Sequence, residues 1–198
     1  MFSESWVDRW IIPNPFISPL LAALRPNGVE LTDLSMNKDA TNLGETQLNV
    51  SIRRLNAAAR IGLDAVVFNV ANPDWGMAPD LVQVFDRIAD IICGIVHARP
   101  TSQKAILAFH VTAGTIDLRA KTASLVNSDL LAGSVFCGVS LHRENGAVII
   151  DKSLKFPNAA FVRIERLHTG DAVFSEVATS LYDDEIAALR LLGIEGIT

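Results

Sequence analysis

The chain has 198 residues, a net charge of −5 and two cysteines, Cys93 and Cys137. A pI near 5.3 argues against general nucleic-acid binding, which needs a basic face to displace counterions, and against electrostatic docking on anionic membranes. Two cysteines are too few for a disulfide scaffold, so the expected compartment is the reducing cytoplasm.

Hydropathy departs from the ordinary. The chain is 49% hydrophobic and 20% charged, with a mean hydropathy of +0.30, where soluble domains carry roughly 25% charged residues. The excess fills an Ala- and Val-rich core or covers a contact surface. The expectation is burial in an oligomer or larger assembly.

In chain order, residues 1–28 read as an N-terminal arm and a short helix. The arm holds Trp6, Trp10, Ile11 and Ile12. Glu4 and Asp8 stand where a leader peptide is basic, and Pro13, Pro15 and Pro19 break the apolar stretch that follows, so neither a leader nor a membrane span is expected. Ser18 is the expected helix cap, Pro19 suits the first turn, and Pro26-Asn27-Gly28 ends the helix.

Residues 29–198 read as one α+β domain, with halves 29–100 and 101–198. Over Gln47–Arg53, Leu48, Val50 and Ile52 alternate with polar residues, which predicts a half-covered strand. Ile61–Val70 is more continuously apolar and reads as one covered strand. Asn72-Pro73-Asp74 marks a turn. Pro79–Ala98 is the clearest helix, with Leu81, Val84, Phe85, Ile88, Ile91, Ile92 and Ile95 on one stripe.

Strands are expected over Ala105–Thr112, Thr115–Lys121, Val135–His142, Ala147–Asp151 and Ala160–His168. Asn145-Gly146 is a strong hairpin-turn pair. Thr169-Gly170-Asp171 opens a helix with Val173, Phe174, Val177 and Leu181 on one face. A second or kinked piece follows over Asp183–Leu192, so helix is expected across 171–192. Hairpins join most neighbours, which predicts a largely antiparallel sheet. A shift of 89 residues aligns 49–92 with 138–181 and matches eleven of 44 positions, among them Arg54/Arg143, Asn56/Asn145 and Phe85/Phe174. That pattern raises a weak internal duplication, strands-helix followed by strands-helix.

Few residues point to chemistry. Cys93 and His97 stand four apart on a helix, but two ligands make no metal site and no second pair has matching spacing. No nucleophile elbow and no Gly-rich phosphate loop occur. The expected catalytic residues, metal ligands and cofactors are therefore none. His110, in an apolar strand, reads as a core histidine. Asp183-Asp184-Glu185 reads as acids at a helix N-terminus, where the dipole favours them. Arg53, Arg54 and Arg143 are candidates to contact an anion or an acidic partner. Trp6, Trp10, Ile11, Ile12 and Trp75 are candidates for a protein interface, because aromatic residues in irregular segments anchor contacts.

Three functions remain open. The leading one is a non-enzymatic subunit or adaptor that binds other protein subunits, its own or different. The second is a module for apolar ligands or peptides. The strand-and-helix order is similar to that of small antiparallel-sheet proteins with such ligands, among them export chaperones and helix-grip folds, a likeness of fold alone. The third is an enzyme with a site scattered in sequence, for which His142, Glu144 and His110 come first.

Overall fold

The structure is a computed structural model that describes residues 14–36, 46–62, 64–112, 120 and 138–194. The fold is α+β, and the described strands form two four-stranded sheets with antiparallel pairing. The chain divides into two compact units: Met1–Arg99 with Val173–Ser175, and Pro100–Ala172 with Glu176–Thr198. No helix among the described residues is long and apolar enough to cross a membrane.

The first unit begins with α1 (Asn14–Leu24). Helix is already formed at Asn14, so Ser18 lies inside it and is not its cap. Pro19 is also interior; its ring suits helical φ, and the cost is one missing backbone donor. Phe16, Leu20 and Leu24 repeat every four residues and are all buried. A 3-10 turn over Arg25–Asn27 ends the helix, closed by Gly28 at φ 77°.

Strands β1 (Leu34–Met36), β2 (Leu48–Ile52), β3 (Ala57–Ile61) and β4 (Val66–Val70) form the first sheet in that order. Val50 pairs with Ala59, and Ala59 with Phe68, so period-two alternation puts Leu48, Val50, Ile52, Ala57, Ala59 and Ile61 on one buried face. The single strand expected over Ile61–Val70 is instead the end of β3, a tight connection and β4. The Gly62 N–H donates to the Ala65 carbonyl at 2.9 Å. Apolar periodicity does not register a turn this short.

Helix α2 (Ala78–Val96) packs on that face. The Asp74 carboxylate accepts from the Gly76 N–H and shapes the 3-10 turn leading in. Leu81, Val84, Ile88 and Ile92 are buried, and Phe85, Ile91 and Ile95 pack partly buried against the same core. The Phe85 ring stacks on Phe68, centroids 4.2 Å apart. The helix ends at Val96, two residues before the expected boundary, and His97 caps it at φ 53°.

The second unit holds β5 (Ser102–Val111), β6 (Val139–Arg143), β7 (Gly146–Lys152) and β8 (Ala160–Thr169), in the sheet order β5-β8-β7-β6. Of the strand expected over Thr115–Lys121, only Ala120 is described, and it is helical, a backbone alanine favours. The rest of that segment lies outside the described residues, as do positions 135–137.

The β6–β7 hairpin forms, but its turn is shifted by one residue. Arg143 pairs with Gly146, which leaves Glu144-Asn145 in the loop. Gly146 is needed for a different reason: a Cβ there would lie 2.0 Å from the Glu165 carbonyl oxygen on the neighbouring strand. Helix α3 (Phe174–Leu191) is one continuous helix, not two pieces, and Gly193 at φ 80° follows its end.

The duplication is not confirmed. The 89-residue shift superposes β3 on β7, and in both an asparagine stands just before the strand. It then sets β4 against the loop before β8, and Phe85 in the middle of α2 against Phe174 at the start of α3.

Candidate functional site

The two faces of the second sheet differ in chemistry. On one face Leu107 and Val111 of β5, Val148 and Ile150 of β7, and Ala160, Val162 and Ile164 of β8 are buried. Their register places them side by side, as Leu107↔Ile164 and Ile164↔Val148. Helix α3 contributes Val177, Ala188 and Leu189 to the buried set.

Asp184 of α3 is also buried, at 5% exposure. Arg143 of β6 donates to its Oδ1 at 2.7 Å, and Arg166 of β8 donates through Nε at 2.6 Å and Nη2 at 2.9 Å. Burial pushes the Asp184 carboxyl up, but the hydrogen bonds and charges of Arg166 and then Arg143 outweigh it and hold the carboxyl below the ordinary carboxylate value. This corrects the reading of Asp183-Asp184-Glu185 as helix-opening acids: they lie mid-helix. Two neighbouring contacts extend the polar layer. Gln103 Nε2 donates to the carbonyls of Gly170 and Ala172, and Ser180 Oγ lies 3.5 Å from His168 Nε2.

The opposite face carries Lys104, Ile106 and His110 of β5, Ile149 of β7, and Phe161, Arg163, Glu165 and Leu167 of β8, by strand alternation. Ile106 is 49% exposed and Leu167 50%. Lys104 and Arg163 both pair with Glu165, the former at 2.7 Å. The Glu165 carboxyl falls below its usual value, chiefly through the hydrogen bond from Lys104. The His110 ring meets Phe156 edge-on at 5.0 Å and lies 5.2 Å from Phe161.

Phe156 belongs to the β7–β8 loop, which is locally well held. The buried Ser153 accepts through Oγ from the N–H groups of Lys155 and Phe156, at 3.2 and 2.9 Å. Its own N–H donates to the Ala159 carbonyl at 2.9 Å. Asn158 takes φ 58°, a conformation asparagine tolerates. At the tip Leu154 is 94% exposed, and Lys155 Nζ lies 5.2 Å from the Phe156 ring centroid.

The candidates read from the sequence fall in separate places. Trp6, Trp10, Ile11, Ile12 and Cys137 lie outside the described residues. Trp75 is half-buried in the 3-10 turn before α2. Arg53 and Arg54 sit in the 3-10 turn joining β2 to β3; Arg53 pairs with Asp33 at 2.9 Å and Arg54 is exposed. Arg143 belongs to the other unit and is engaged by Asp184.

His110 is exposed and is not a core histidine, because strand alternation puts it on the face opposite the buried Leu107 and Val111. His142 and Glu144 are exposed at the β6 end. Strands β5 and β6 stand at opposite ends of the described strand order, about 14 Å apart at three strand spacings, so His110 does not join His142 in one reacting centre. Cys93 is half-buried, and burial, aided by Asp90, pushes its thiol up against the opposing pull of Arg99. His97 has left helical geometry, so it does not extend the Cys93 face. Among the described residues no three His, Cys, Asp or Glu side chains come together to hold a metal ion.

Two features were missed in sequence. Asp184 was legible: Val177, Leu181, Asp184 and Ala188 follow the spacing of one helix face, so the acid falls on the buried stripe. Leu154 was not, since one leucine between a serine and a lysine has no periodicity. No protein-family model, curated protein or solved structure matches the chain.

Proposed function

We propose that the protein is a cytoplasmic, non-enzymatic subunit or adaptor that binds another protein chain through the outward face of the second sheet and the β7–β8 loop. The observation that carries this reading is Leu154, 94% exposed on a loop fixed by the Ser153 hydrogen bonds. Holding a leucine in water on an ordered loop forgoes roughly 2 kcal/mol of burial that a partner can supply. Because the loop is already ordered, little conformational entropy is lost on binding. Phe156, Ile106 and Leu167 add exposed apolar area, and Lys104, Lys155 and Arg163 supply polar contacts at the margin.

A photo-crosslinking residue at position 154, introduced in the native host, tests this. It is expected to give discrete adducts with one or a few proteins, while the same residue at the exposed Asp80 gives none. An absence of adducts at 154, or identical adducts at both positions, would count against the reading.

A second reading, peptide binding, is favoured by β5. This strand pairs with β8 over ten residues, Ser102–Val111, with no bulge, and among the described strands it forms an edge of its sheet. It contains no proline. A long regular edge is what an extended peptide adds to.

A further inference from the structure

We draw no further inference here: the strongest candidate, the Leu154 loop tip with the outward sheet face beside it, belongs to the surface already assigned above, and nothing in the structure shows what covers it.

Discussion

The two units share a three-stranded antiparallel meander followed by a helix, and they complete it in opposite ways. In the first, the fourth strand β1 joins β2, the first strand of the meander; in the second, β5 joins β8, the last. Their covered faces also differ. The first unit buries Val50, Ile52, Ile61, Val84 and Ile88, and among its described residues no polar or charged one is buried. The second sets a carboxylate and two guanidinium groups beside its buried residues. The outward faces differ in part: Asn49, Ser51, Ala58, Arg60 and Val67 on the first sheet, against Ile106, Ile149, Phe161 and Leu167 with Lys104, Arg163 and Glu165 on the second. The lesson is that one chain order supports two kinds of cohesion, and that the unit with the charged clamp also carries the larger apolar side chains on its outward face.

The largest expected effect tests the apolar side. Ile88→Ala empties a fully buried site and should cost about 4 kcal/mol in urea denaturation. A loss below about 1 kcal/mol would show that this core is not closely packed.

Next comes the clamp. Asp184→Ala leaves Arg166, a largely covered side chain, without its anion, and should cost about 3 kcal/mol. Replacing Arg143, Asp184 and Arg166 together by apolar residues of similar size should recover most of that loss, because a satisfied ion cluster is worth little more than good apolar packing. Failure to recover would mean that the cluster specifies the fold. The carboxyl of Asp184 lies below its ordinary value in the folded state. Its stabilisation is therefore complete above the unfolded-state value of roughly 3.9 and lost as pH falls below it. Wild-type stability should drop on acidification through that range, and the drop should be smaller in Asp184→Ala.

Phe85→Ala should cost about 2 kcal/mol, less than a fully buried aromatic, because the ring is only partly covered although it stacks on Phe68. The smallest effect lies on the same helix. Asp86 and Asp90 stand four residues apart, and burial, then the Asp90 charge, push the Asp86 carboxyl up. Ionising Asp86 thus weakens the fold as pH rises through its raised value. Asp90→Asn should add about 0.3 kcal/mol at neutral pH, the usual relief of a like-charge pair at this spacing. Unchanged or reduced stability would show that the pair is compensated.

The elements that sequence periodicity located well are those with one covered face. Leu48, Val50 and Ile52 alternate, and Leu81, Val84, Ile88 and Ile92 repeat at helical spacing; both patterns are consequences of covering one side only. The misreadings arose where that signal is blind. A continuous apolar run does not reveal the fold-back at Gly62. Asn145-Gly146 marks a hairpin but not which two residues occupy its loop, because Gly146 answers to the carbonyl of Glu165 on another strand. Asp184 was assigned by its acidic neighbours when its place on the helix face was the better guide. The Leu154 loop depends on hydrogen bonds from the Lys155 and Phe156 N–H groups to Ser153 Oγ, which no composition or periodicity encodes.

Light scattering on the full chain at tens of micromolar, alone and with co-expressed neighbouring proteins, tests the functional claim most directly, with Leu154→Asp compared in parallel. The account predicts a complex of defined mass that Leu154→Asp weakens, while its urea melt stays within about 0.5 kcal/mol of wild type, as for other exposed positions. A monodisperse monomer with every neighbour tried, or a complex indifferent to Leu154→Asp, would contradict it.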